Sequence, residues 1–436
     1  METFFLGLLL VLLALFGAPL FSIIGAIALL SFHAVDIDSS AVIVELYRIA
    51  VNPTLVAIPL FTFAGYALAE SKSPVRLVNL ARAFFGAMPG GLAVVTLLTC
   101  ALFTAFTGAS GVTIVALGGL LFPMLIKEQY PEKFSLGLVT TTGSLGLLFH
   151  PSLPLILYAL IAKISIDQLF AAGLIPGILL IVALAGYSVV IGQKHHIPKT
   201  PFSWSNARKA LREAAWELPL PFLVIGGIYS GVFTATEAAA VTAFYVVVIE
   251  VFIYKDLKLF SDMPKAMKDS MLLVGSIFMI IGSAMGLTNY LIDEEVPMKL
   301  FELTKAFIAS PTAFLVVLNL FLIVVGMMMD IFSALIVVVP LIIPIAEAYG
   351  INKVHLGIIF LTNLEIGYLT PPVGLNLFLS SLRFGKPVLV VVRATLVFIL
   401  ILLVALIIIT YIPGLSLWLV QGPVASCSPL SIPTVS

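Results

Sequence analysis

His150-Pro151-Ser152-Leu153-Pro154-Leu155 and Thr370-Pro371-Pro372-Val373-Gly374-Leu375 interrupt two hydrophobic segments of this 436-residue chain. Pro151 and Pro371 differ by 220 positions, and the same offset relates Gly137 to Gly357, Ser110 to Asp330 and Lys163 to Arg383. The chain therefore reads as one unit built twice, each copy broken by Pro and Gly inside an apolar stretch. A broken helix in lipid leaves backbone N–H and C=O groups that protein, water or a ligand must satisfy. Paired breaks of this kind are the sequence mark of a secondary transporter.

Composition fixes the solvent. The chain is 61% hydrophobic and 10% charged, with mean hydropathy +1.19. A water-soluble domain has nowhere to hide that much apolar surface, so the surroundings are a lipid bilayer. Lys and Arg balance Asp and Glu at 22 each, which gives no basic surface for nucleic acid. Cys100 and Cys427 sit in an apolar run and in the tail, so neither a disulfide nor a metal site is expected. The first apolar run lacks a basic leader and a cleavage site, and is expected to be a retained span.

Charge placement orients the spans, because cytoplasmic loops collect Lys and Arg. Lys72, Arg76 and Arg82 precede the stretch 90–127, and Lys127 with Lys133 closes it. Both flanks are basic, so the stretch is expected to enter and leave on one side, as a re-entrant hairpin tipped at Thr107–Gly111. Asp293-Glu294-Glu295 marks the opposite side, from which 311–348 is expected to form a second hairpin tipped at Gly326–Asp330. The two copies then face opposite ways. The expected fold is an all-α polytopic membrane protein with an inverted repeat, two re-entrant helical hairpins and two broken helices.

The expected first repeat is 1–213: scaffold spans over 3–70, an interfacial arm at 74–86, the hairpin 90–127, a broken span 133–162 and a span 168–192. The second is 214–421: scaffold spans over 217–292, the hairpin 311–348, a broken span 353–382 and a span 388–411. Another interfacial helix is expected at 39–50, and a disordered tail at 422–436.

Half-helix ends and unwound carbonyls suit a small cation, and half-helix N-termini suit a carboxylate. Thr107, Gly108, Ala109 and Ser110 with Gly143, Ser144 and Pro151 are expected to form a first sodium site. Gly326, Asp330, Asn363, Thr370, Pro371 and Gly374 are expected to form its mirror. Ser110, Ser152, Asn376 and Arg383 are the candidates for substrate contact. Sodium is preferred to a proton because these residues offer mostly carbonyl and hydroxyl oxygens. The plain alternative is that the breaks are ordinary Gly and Pro kinks.

Other polar residues carry two readings each. Asp330 either coordinates a cation or caps the half-helix that begins at Ile331. Thr234 and Glu237 have capping-box spacing, which favours a helix start. Lys163 and Arg383 read as interface anchors, or as attractors of an anion. Glu45, Glu365, His150 and His355 read as structural. No catalytic motif or cofactor-binding pattern accompanies them, so no enzyme is expected.

Several motifs resemble one family. Gly231–Ala240 (GVFTATEAAA), Thr370–Gly374 (TPPVG), Met329-Asp330 with Pro340 and Pro344, and Met88–Leu92 (MPGGL) stand in its order. The chain resembles the large membrane subunit of TRAP (tripartite ATP-independent periplasmic) transporters over nearly its whole length. That resemblance implies a sodium-driven importer of organic acids, C4-dicarboxylates among them, in the bacterial inner membrane. It implies a small four-span membrane subunit and a periplasmic substrate-binding protein as partners, and a domain holding both hairpins that moves as an elevator. Two stretches depart from the family pattern: the first tip, Thr107-Gly-Ala-Ser-Gly111, and the first break, Phe149-His150-Pro151-Ser152. Both bear on which ligands bind. The alternatives are a single-component sodium- or proton-coupled organic anion symporter, an intramembrane enzyme and an ion channel.

Overall fold

The computed structural model describes residues 18–35, 53–198, 201–308 and 310–421, with isolated positions before residue 53. Nearly all of residues 3–16, Glu45, most of 39–50 and the tail 422–436 lie outside the described residues. Among the described residues every regular element is a helix.

Helices α1 (Leu20–Ala34), α2 (Ala57–Glu70) and α3 (Ser73–Phe85) open the chain. Helices α4 (Gly91–Thr107) and α5 (Ser110–Lys127) fill the first hairpin stretch. The first break separates α6 (Glu132–Thr142) from α7 (Leu153–Ala162), and the long α8 (Ile166–Lys194) follows. Next come α9 (Trp204–Glu213), α10 (Pro219–Tyr229), α11 (Ala235–Ile253), α12 (Asp262–Asp293) and α13 (Val296–Phe307). The second hairpin stretch holds α14 (Pro311–Met328) and α15 (Ile331–Ala348). Helices α16 (Lys353–Gly367) and α17 (Leu375–Phe384) flank the second break, before α18 (Val388–Tyr411) and α19 (Gly414–Gln421).

Seven of these helices are long and apolar enough to cross a membrane, or up to eight if the bent pair Glu132–Leu148 and Leu153–Ala162 is one span. That pair bends by 42° at its break. The protein is a multi-pass membrane protein.

Helix boundaries recur along the chain at a near-constant offset. Gly91 and Pro311, Ser110 and Ile331, Glu132 and Lys353, Leu153 and Leu375, and Ile166 and Val388 open equivalent helices at offsets of 220 to 222. Packing partners are exchanged in the same way. Helix α1 lies along α12 as α2 lies along α11, α5 meets α17 as α15 meets α7, and α6 meets α18 as α16 meets α8.

Helix starts follow local chemistry. Thr234 and Glu237 close a capping box at the start of α11, with the Glu237 N–H donating to the Thr234 hydroxyl at 3.3 Å. Ser310 and Asn352 accept N–H groups at the starts of α14 and α16. Between spans the gain from association is packing, because lipid tails are as apolar as leucine. Small residues permit it: a Cβ on Gly137 would lie 2.2 Å from the Ala394 carbonyl oxygen, and one on Gly357 would lie 2.6 Å from the Tyr158 ring. Tyr158, Phe61, Phe170, Phe360 and Phe398 are the largest fully buried side chains in the resulting core.

Candidate functional site

Each hairpin turn rests on the break of its own copy. Gly108 has φ +64°, a conformation only glycine adopts readily, and a Cβ there would strike Leu153 of α7 at 2.5 Å. The Thr104 hydroxyl donates to the Gly143 carbonyl at 3.0 Å and lies 2.7 Å from the Thr113 hydroxyl. A Cβ on Gly143 would be 3.3 Å from the Ser110 carbonyl oxygen. Ser144 is buried beside them, and Pro151 leads directly into α7. The structure thus brings Thr107–Ser110 together with the Gly143 end of the first break.

The second copy is closed by backbone contact. The Gly374 N–H donates to the Met327 carbonyl at 3.1 Å, tying the break to the end of α14. Gly326 packs on Gly367, and the Thr370 hydroxyl donates to the Ile366 carbonyl at 2.8 Å. Asn363 stands in another group. Its side chain donates to Asn319 Oδ1 at 2.7 Å and to the Ile359 carbonyl at 2.8 Å, and the Asn319 amide reaches the Thr410 hydroxyl at 3.3 Å. Asn363 is four residues before the end of α16, so this group ties α14, α16 and α18 together below the break.

Asp330 is the N-cap of α15. Its Oδ2 accepts the N–H groups of Phe332 at 3.0 Å and Ser333 at 3.1 Å, while the Ser333 hydroxyl donates to Oδ1. The Ile331 N–H donates to the Tyr368 hydroxyl at 2.5 Å. The first-turn donors of α15 are therefore all taken. Helix α5, which opens at Ser110 as α15 opens at Ile331, has Ala109 as its N-cap and no side-chain cap.

Both tips open on one cavity of about 560 Å³. Ser110, Gly111 and Val112 face it from the first tip, and Asp330, Ile331 and Phe332 from the second. Tyr66 and Glu70 of α2 and Leu273 of α12 form the opposite wall. The cavity therefore lies between the tips and the α2–α12 pair. Of the four substrate-contact candidates only Ser110 lines it. Ser152 and Asn376 are fully buried, with the Asn376 amide 3.5 Å from the Thr140 carbonyl, and Arg383 lies exposed over Gly119 of α5.

Tyr66, Glu70, Leu273 and Tyr368 were not singled out by the sequence. Tyr368 carried a local signal, because it follows the last residue of α16 and precedes the Thr370–Gly374 break by two positions. The others reach the cavity only through the packing of α2 and α12. His150 stacks on Phe170 at 5.3 Å, and His355 lies 3.2 Å from both Ser416 Oγ and the Thr410 carbonyl; neither lines the cavity.

The DctM (C4-dicarboxylate TRAP transporter large permease protein) of Pseudomonas aeruginosa is 38% identical over 394 residues, which is 90% of this chain and 92% of that protein. The ectoine/5-hydroxyectoine TRAP transporter large permease protein UehC of Ruegeria pomeroyi is 30% identical, over 94% and 96% of the two chains. Among solved structures, the YdaH transporter of Alcanivorax borkumensis shares the fold with TM-score 0.63 at 15% identity, covering 87% of this chain and 89% of that one. These relatives are permeases and not enzymes. The family model described as tripartite ATP-independent periplasmic transporter, DctM component, matches residues 6–415, and the chain belongs to that family.

Proposed function

We propose that the protein is the large membrane subunit of a sodium-coupled importer, which takes a small organic acid from a periplasmic substrate-binding protein. It works beside a small four-span subunit in the bacterial inner membrane. One observation carries the reading: a single cavity is walled by both hairpin tips, with Tyr66 and Glu70 of α2 and Leu273 of α12 also lining it. The family's tripartite description supports two further components.

In this reading sodium is a co-substrate. The carbonyl and hydroxyl oxygens around Thr107–Ser110 and Gly143–Ser144 hold one ion, and those around Gly326–Asp330 and Thr370–Gly374 hold another. Oxygen ligands of this kind suit a hard monovalent cation, and a broken helix supplies them without a buried charge. Filling both sites firms the tips that wall the cavity, so the acid binds to a fixed surface. The duplicated halves, read as inverted copies, give two equivalent arrangements that open to opposite sides. The body holding α4–α8 and α14–α18 then slides along α1, α2 and α10–α12 as an elevator. If two sodium ions accompany one monoanion, one net charge enters, worth about 2.3 kcal/mol at 100 mV.

The test is uptake of labelled acid into proteoliposomes containing both membrane subunits, with the binding protein outside. Uptake is expected only with an inward sodium gradient. Equal uptake with sodium replaced by potassium would remove sodium coupling. Equal uptake without the binding protein would favour a single-component symporter.

A further inference from the structure

Resting on the import reading above, we propose that the cavity selects a substrate with one acid group on an apolar body, and seats that group on the open start of α5 at Ser110–Val112.

The two tips are equivalent in the repeat and opposite in chemistry. At α15 the first-turn N–H groups are consumed by the Asp330 carboxylate and the Tyr368 hydroxyl. At α5 no side chain caps the helix, and the first N–H groups of a helix have no partner within it. Ser110 lies at this open start, is only 4% exposed, and makes no hydrogen bond through its hydroxyl while lining the cavity. An uncapped helix start with a buried, free hydroxyl beside it is a receptor for one carboxylate or sulfonate.

A second acid group finds no such place. Among the described residues, Glu70 and Asp330 are the charged residues on the cavity wall, and no Lys, Arg or His lines it. Lys265 lies 3.3 Å from Glu70, so its charge is matched already. A sodium ion near Asp330 would neutralise that carboxylate and leave nothing over for another anion. Apart from Tyr66 and Tyr368, the remaining wall is apolar, with Val112, Val115, Leu147, Leu273, Leu375 and Leu379 around it. A dicarboxylate bound here would bury one charge without a partner, which is strongly disfavoured. Relatives named for C4-dicarboxylates and for ectoine occur in the same family, so family membership does not set the number of acid groups.

The test uses the full chain purified with its small subunit, and reads the melting temperature against butyrate, succinate and succinamate at matched sodium and ionic strength. Butyrate and succinate share a four-carbon chain, and succinamate keeps the length of succinate with one charge. Butyrate and succinamate are expected to stabilise the complex at concentrations at least tenfold below those at which succinate does. Ser110→Pro removes both the hydroxyl and an open N–H. Ala109 is already extended (φ −132°, ψ 114°), as a residue before proline must be, so this helix start accepts the ring. Ser110→Pro is expected to weaken the butyrate response at least tenfold, and Ser110→Ala to weaken it less.

Succinate acting as well as butyrate, an unchanged response in both variants, or no response to any of the three overturns the single-acid proposal. The import reading falls only if gradient-driven uptake also fails.

Discussion

Gly326 and Gly367 meet backbone to backbone: a Cβ built on Gly367 would lie 2.5 Å from both Cα and C of Gly326. This contact joins the hairpin helix α14 to the last turn of α16, immediately before the second break. Neither chain segment has room to retreat, because the opposing atoms are main chain. Gly367→Val is therefore expected to cost at least the 1–3 kcal/mol typical of overpacking, and to abolish sodium-driven uptake. Gly226→Val in α10, where a Cβ meets nothing within 4 Å, is the control and is expected to insert and transport normally. Normal uptake by Gly367→Val would show that the two segments need not touch.

Asp330 separates capping from ion binding by substitution. Asp330→Ala strips the acceptor from the Phe332 and Ser333 N–H groups and is expected to cost about 1 kcal/mol of stability. Asp330→Asn keeps a good N-cap and is expected to melt near the wild type. If the carboxylate also serves a cation, both variants need more sodium for half-maximal uptake. Asparagine with unchanged sodium activation would leave Asp330 as a cap alone.

Thr370→Ala probes the same site from the break. The Thr370 hydroxyl donates to a carbonyl of its own helix, so losing it is expected to change melting little. A rise in the sodium requirement at near-constant melting temperature is the expected outcome. Equal sodium curves would take Thr370 out of the cation site.

Local signals were readable in the sequence where one residue type forces one geometry. Gly108 has to be glycine at a left-handed turn against Leu153, and Thr234 with Glu237 closes a helix start by spacing alone. The 220-residue offset was visible because helix ends in lipid are set by Pro, Gly and charge, which survive as letters. The cavity was only half visible. Ser110 and Asp330 lie at marked breaks, whereas Tyr66 and Leu273 are ordinary positions in long apolar helices, aimed by the packing of α2 and α12. Asn363 shows the same limit from the other side. Its amide nitrogen pairs with Asn319, 44 residues away, a pairing no local pattern announces.

Arg76 shows what else tertiary packing hides, since nothing near it in sequence announces three carboxylates. Its guanidinium donates to Glu217 at 2.7 Å, Asp256 at 2.5 Å and Glu250 at 3.1 Å, and its carbon lies 3.8 Å above the Tyr254 ring. The group pins α3 to the start of α10 and the end of α11. Arg76→Met would leave Glu217 and Glu250 buried without their cation, with Asp256 keeping Lys72, and is expected to cost about 3–5 kcal/mol.

Glu217 offers a subtler reading of the same cluster. Burial pushes its carboxyl above the ordinary value of 4.5, while Arg76 pulls it back. A raised value means the folded state holds the proton more tightly than the unfolded chain does. That contribution to stability is fully present below pH 4.5 and is lost as pH rises through the folded value. Glu217→Gln does not titrate, and its Oε1 still accepts from Arg76. Melting temperatures of the two proteins, measured from pH 4.5 towards neutrality, are expected to shift in favour of the glutamine variant as pH rises. Parallel curves would show that Arg76 cancels the effect of burial and that Glu217 stays charged across the range.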